Sequence, residues 1–152
     1  MFSSLFRSDK ADIFVSFTTG TPDVARREIP RFVPGETVSG FVEITPSENI
    51  TYKRLFVRIK WRTEGKGDTD EVVWYTVQEA EGALSAGFVK TVPFTAVLPG
   101  EPWSYAGRYI NIVWGVDVEI DVAWAVNPRH FAPFILAPAW TMPASPVKSI
   151  ER

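Results

Sequence analysis

A chain of 152 residues is long enough for one domain, which at this size buries about 68–70% of the surface its unfolded form exposes. Sixteen Lys and Arg against eighteen Asp and Glu leave a formal net charge of −2, so no global field draws in nucleic acid or an anionic membrane, and nucleic-acid binding is not expected. Cysteine is absent, which removes disulfides, thiolate metal sites and cysteine nucleophiles together.

The first residues, MFSSLFRSDK, place Phe2, Leu5 and Phe6 at helical spacing. So short a helix is marginal in water, and residues 1–10 read as an N-terminal tail. They hold no apolar run of a signal-peptide kind, and no stretch of about 18 apolar residues occurs anywhere in the chain. A cytoplasmic protein without stable membrane insertion is the expectation.

From residue 11 onward short alternating runs are separated by proline and glycine, and no window keeps apolar residues at helical spacing, which reads as all-β. The predicted strands are ADIFVSF (11–17), ETVSGFVEI (36–44), YKRLFVRIKWR (52–62), DEVVWYTVQEA (70–80), FVKTVPFTAVL (88–98), YINIVWGVDVEIDVAWAV (109–126) and FAPFIL (131–136). Turn signals PGE, PSEN, EGKGD, PGEP and NPRH fall between them. Seven or eight antiparallel strands at this spacing predict an immunoglobulin-like β-sandwich over residues 11–136, followed by a C-terminal tail over 137–152.

In strand 52–62, Leu55, Val57, Ile59 and Trp61 share one face, and Arg54, Arg58, Lys60 and Arg62 share the other with Phe56. Segment 109–126 is about three times the usual strand length of roughly 5–6 residues. Every second residue from Ile110 to Val126 is Ile, Val or Trp, which predicts the spine of the core. Gly115 is the expected point of backbone relief in one long bent strand. A membrane barrel is excluded, because it needs at least about eight strands of comparable length.

The order RFVPGETVSGFVEI, YKRLFVRIKWR and VPFTAVLPGEPWSYAGRYINIVWGV resembles the N-terminal domain of the arrestin superfamily over about residues 12–126. That pattern has a proline-glycine turn before a V-x-G-x-V strand, a basic and apolar strand, an F-x-x-x-L-P segment and a Y-x-V-type strand. Physical reasons stand beside it: Pro34 and Gly35 suit a tight turn, Gly40 marks a close backbone approach, and Pro93 suggests an edge or a bulge. Arrestins proper carry two such sandwiches and this chain has length for one, so the resemblance implies a small prokaryotic arrestin-like protein. Its relatives act mostly as adaptors.

Four feature sets compete for a site. The cationic stripe Arg54, Arg58, Lys60 and Arg62 has alternate side chains roughly 7 Å apart, which suits an extended acidic or phosphorylated peptide. Asp117, Glu119 and Asp121 lie on the polar face of segment 109–126 and are the expected neutralisers of that stripe. A flat ladder of carboxylates does not fold round a cation, and no metal or other cofactor is expected. His130, the single histidine, reads as a surface turn residue, and no G-x-S-x-G elbow gives it a nucleophile, so no enzyme is expected.

Aromatic residues make up 14% of the chain. Trp61, Trp74 or Tyr75, Phe94, Trp114 and Trp124 take core positions by alternation. Trp103, Phe131, Phe134 and Trp140 fall in turns or near the C-terminal tail, where an exposed cluster would mark an interface with a partner or a second copy. The function that follows is a non-catalytic adaptor or scaffold module binding a protein or peptide partner. The alternative is a structural subunit that forms a homo-oligomer or larger assembly.

Overall fold

The computed structural model describes residues 2–8, 10–67, 69–123 and 125–139. Among them are eleven strands: β1 (Phe2–Arg7), β2 (Ala11–Phe17), β3 (Thr21–Pro22), β4 (Pro30–Phe32), β5 (Thr37–Pro46), β6 (Ile50–Gly65), β7 (Glu71–Leu84), β8 (Lys90–Val97), β9 (Tyr105–Ala106), β10 (Ile110–Val122) and β11 (Arg129–Leu136). No helix among the described residues is long and apolar enough to cross a membrane.

The strands form two sheets packed face to face. The smaller has the order β1-β2-β5-β8; the larger has the order β3-β4-β11-β10-β6-β7, with β9 added beside β10. Every ladder is antiparallel except the short one between β4 and β11. The alternation seen in the sequence explains the core: Ile13, Val15, Val42 and Ile44 of the smaller sheet face Leu55, Val57, Val116 and Val118 of the larger, and all are buried.

All seven predicted strands are present, and four more were not foreseen. The tail reading of residues 1–10 is corrected over Phe2–Arg7, which pairs with β2 from Phe2 opposite Phe17 to Arg7 opposite Asp12. The helical spacing of Phe2, Leu5 and Phe6 misled. Phe2 and Phe6 also share a period of two and pack against the core, whereas Leu5 points to solvent. Strands β3, β4 and β9 have two or three residues each, too short for any period to show.

Segment 109–126 contains one strand, β10, in register with β6 from Ile110 to Asp121. The backbone relief expected at Gly115 lies instead between Asp121 and Val122, where the ladder shifts by a residue. On the β6 side the shift leaves Lys53 without an opposite number, so Tyr52 and Leu55 both reach the core. The spine is also shorter than predicted. Trp114, Val116, Val118 and Ile120 are fully buried, but Ile110 and Val126 are exposed, and Trp124 lies outside the described residues.

Glycine at 115 has a packing reason: the Phe131 ring occupies the space a side chain would need. Gly40 carries out the close approach predicted for it, since a Cβ there would collide with the Ser16 carbonyl oxygen and the Phe94 ring. Gly115→Ala must displace Phe131, and is expected to lower stability by about 1–3 kcal/mol, the usual range for overpacking. Denaturant unfolding of the variant checks this, and Gly115→Ala at wild-type stability would show that Phe131 swings aside freely.

Candidate functional site

The outer face of the larger sheet carries the predicted cationic stripe, and the structure shows what each cation meets. Antiparallel pairing sets Arg58 opposite Asp117 and Arg54 opposite Asp121, as the two polar rows required. Arg58 Nη1 donates to Glu119 Oε1 at 2.8 Å and to Asp117 Oδ2 at 3.5 Å. Lys60 Nζ lies 3.2 Å from Asp117 Oδ2 and 3.0 Å from Glu71 Oε2. Arg62 pairs with Glu64 at 2.8 Å and lays its guanidinium over the Phe131 ring at 4.0 Å. Arg54 is exposed and makes no ion pair among the described residues.

Asp117 is the hub. It is 2% exposed, as is Lys60, although both belong to the face that alternation assigns to water. Besides Lys60 and Arg58 it receives Arg129, whose Nη2 and Nε donate at 2.9 and 3.3 Å. Burial alone would raise the Asp117 carboxyl, but the Arg129 hydrogen bond and the charges of Lys60 and Arg129 outweigh it and hold the group below its ordinary range. Glu119 behaves alike: burial raises it, and hydrogen bonds from Arg58 and Asn127 bring it lower. No buried side-chain nitrogen or oxygen among the described residues lacks a partner.

Beside this network lies an open cleft of about 710 Å³ lined by Lys60, Arg62, Glu71, Asp117, Arg129 and Phe131, among others. Lys60, Arg62 and Arg129 each hold a carboxylate there, and of the lining anions Glu64, Glu71 and Asp117 are paired while the exposed Asp70 is not, so the cleft presents no concentrated charge to a phosphate or a metal. No group of three or more His, Asp or Glu suited to a metal occurs among the described residues. Glu71, Glu64 and Arg129 were missed as members. Glu71 and Arg62 face each other across the β6–β7 hairpin, a pairing visible from the turn between them, whereas Arg129 reaches Asp117 through the β10–β11 pairing.

Of the four aromatics singled out, the three among the described residues do not form one exposed cluster. Phe134 is corrected: it is 1% exposed and packs edge-on against Phe17 and Phe32. Phe131 is half-buried beneath Arg62. Trp103 is 50% exposed, with its indole donating to the Gly100 carbonyl. Trp140 lies outside the described residues. His130 is corrected as well: it belongs to β11 rather than a turn, and its Nε2 meets Ser4 Oγ at 2.7 Å.

An apolar surface lies on β7, where alternation predicted that Trp74 or Tyr75 takes a core position. This strand ends the larger sheet, with β6 on one side and no strand on the other among the described residues. Val72, Val73, Trp74 and Tyr75 are each 41 to 48% exposed. The ladder shifts between Ile59 and Lys60, leaving Trp74 as the extra residue of a bulge, and its indole reaches across to donate to the Val97 carbonyl of the other sheet at 2.8 Å. Tyr75 and Val77 then border a shallow groove of about 230 Å³ whose opposite side is Phe41, Pro93 and Phe94.

No family model matches the chain, and no curated protein does. Among solved structures it is similar to the sporulation control protein Spo0M from Bacillus subtilis, with a TM-score of 0.63 and 14% identity over 88% of this chain. The chain spans 51% of that protein's length. The likeness is one of fold, and it supports an arrestin-like β-sandwich.

Proposed function

We propose that this chain is a non-catalytic interaction module of arrestin-like fold that accepts an extended segment of a protein partner along β7. The observation that carries the reading is the free β7 edge with its four exposed apolar side chains. A terminal strand presents unpaired N–H and C=O groups, and proteins usually blunt such an edge with lysine, proline or a very short strand. β7 has 14 residues with neither lysine nor proline. Its Glu71 and Glu79 are already paired with Lys60 and Lys90, which leaves Glu81 as the one carboxylate of the strand without an ion pair among the described residues. The bulge at Trp74 breaks the ladder there, which leaves residues 75–84 as the continuous stretch for an added strand, with Val72, Val73 and Trp74 as an apolar contact just beyond its end.

The cationic stripe is the weaker basis for recognition, because Arg58, Lys60 and Arg62 each hold a carboxylate of their own chain. An acidic or phosphorylated ligand would have to displace those partners. The test is capture from the native host with three proteins: wild type, Val73→Lys/Tyr75→Lys, and Arg54→Glu/Arg58→Glu. A named partner retained by wild type and the stripe variant but lost at least tenfold by the edge variant is the expected result. Equal capture by the edge variant overturns the reading.

The same edge would serve a second copy, making the chain a structural subunit of a homo-oligomer. Light scattering separates the readings: a monomer at micromolar concentration favours the adaptor, and an oligomer dissolved by the edge variant favours the subunit.

A further inference from the structure

We propose that His130 is a pH-sensitive latch on β1, holding this strand against the opposite sheet when neutral and releasing it when protonated. β1 is the outermost strand of the smaller sheet and, among the described residues, pairs with β2 alone. Its side-chain tie to the larger sheet is the imidazole of His130 on β11. Ser4 Oγ lies 2.7 Å from Nε2, and the Phe6 ring stacks on the imidazole at 5.9 Å with an interplanar angle of 18°. Three alternate groups of a six-residue strand, Phe2, Ser4 and Phe6, thus face inward, and two of them rest on one titratable ring.

The surroundings favour the neutral ring. Burial is the largest influence on His130 and lowers its pKa from the ordinary 6.5, while the Asp117 charge and the Ser4 backbone push more weakly the other way. From β1 the ring is faced by Ser4 and Phe6, neither of which carries charge. From β10 the nearby charge is Asp117, on the opposite face of the sheet and engaged by Lys60, Arg58 and Arg129. Arg129, next to the ring in sequence, is turned to that same outer face. Arg7 and Asp12 stand opposite each other beside Phe6, but by alternation both lie on the outward row, away from the ring. Among the described residues a protonated His130 therefore has no carboxylate on its own face, and the Ser4 hydroxyl and the Phe6 ring compensate its charge only in part.

The sign follows from linkage. A base whose folded pKa is lowered contributes stability that is fully present above 6.5 and is lost as pH falls through the folded value. Acidification below 6.5 thus loosens β1, and it bares the edge of β2 without disturbing the core that β2 shares with β5. The device is independent of the β7 edge, on the other side of the sandwich.

Hydrogen exchange of the full chain, corrected for intrinsic rates, tests the latch at pH 7.5 and 5.0. Amides of β1 and of the β2 edge are expected to lose at least tenfold in protection at pH 5.0, while those of β6 and β10 keep theirs. His130→Gln, which keeps a polar side chain but does not titrate, is expected to show no such pH dependence. Unchanged wild-type protection, an equal loss in the Gln variant, or a loss spread evenly over all strands would each overturn the proposal. Should the Gln variant fail to fold, NMR titration of His130 in the wild type decides instead. A midpoint below 6.5 that coincides with the exchange transition supports the latch, and a midpoint at or above 6.5, or one that does not coincide, refutes it.

Discussion

Asp117→Ala is expected to lower the free energy of unfolding by about 3–5 kcal/mol, the range for breaking a buried ion pair from one side. For a domain of this size that is roughly 6–20 °C in Tm. The carboxylate is hidden from water, and Lys60, just as hidden, would keep only Glu71, itself half exposed, as its counter-ion. Arg129 loses less, since its side chain is close to half exposed and can turn to solvent. Chemical denaturation of Asp117→Ala measures the sum. The double replacement Lys60→Met/Asp117→Leu provides the control, because exchanging both charges for apolar groups of similar size is often neutral or better. If the double variant is as unstable as the single one, packing rather than an orphaned charge explains the loss.

The same hub sets an acid limit. Asp117 is held below its ordinary 3.8 by Arg129 and Lys60 despite burial, and Glu119 below 4.5 by Arg58 and Asn127 despite burial. For carboxylates lowered in this way the stabilisation is present above the ordinary values and is lost as pH falls through the folded ones. If His130 is the proposed latch, its contribution begins to be lost below 6.5 and those of Asp117 and Glu119 only below their ordinary 3.8 and 4.5, so loosening of β1 sets in at milder acidity than failure of the outer-face network.

Alternation in the sequence is enough for the seven longer strands and for the two rows of β6 and β10, because period two follows directly from the pleat. It also brought Arg58 and Lys60 to Asp117 and Glu119 once the two strands were taken as neighbours. Two kinds of information escaped it. A bulge leaves no mark in composition, so the phase breaks at Lys53 and Trp74 were invisible, and with them the fact that Trp74 and Tyr75 are both exposed. Strand order is not local either. VVWY, apolar on both faces, reads as a central strand of a sheet covered on both sides, yet β7 is an edge. That mismatch between composition and position is the reason β7 is the edge proposed for a partner strand.

Phe134→Ala is expected to cost about 3–5 kcal/mol, as for other large aromatic deletions in cores, whereas Trp103→Ala is expected to stay within about 0.5 kcal/mol of wild type. Sequence position made the two look alike, each an aromatic beside a turn or a chain end. Phase distinguishes them: Phe134 falls between Ala132 and Leu136 on the inward row of β11, and all three are buried. Its ring contacts Phe17 of the smaller sheet at 6.2 Å, Phe32 of β4 at 5.3 Å and Trp114 of β10 at 5.9 Å. Removing it opens a cavity at a point where three strands and both sheets meet, and rigid neighbouring rings collapse poorly into such a space. Among the described residues Trp103 hydrogen-bonds to the Gly100 carbonyl three residues away, and it has half its surface in water. Paired urea titrations settle the contrast. A loss below about 1 kcal/mol for Phe134→Ala would mean that the aromatic cluster repacks around the gap, and that the two sheets are held together by the aliphatic rows of β2, β5, β6 and β10 instead.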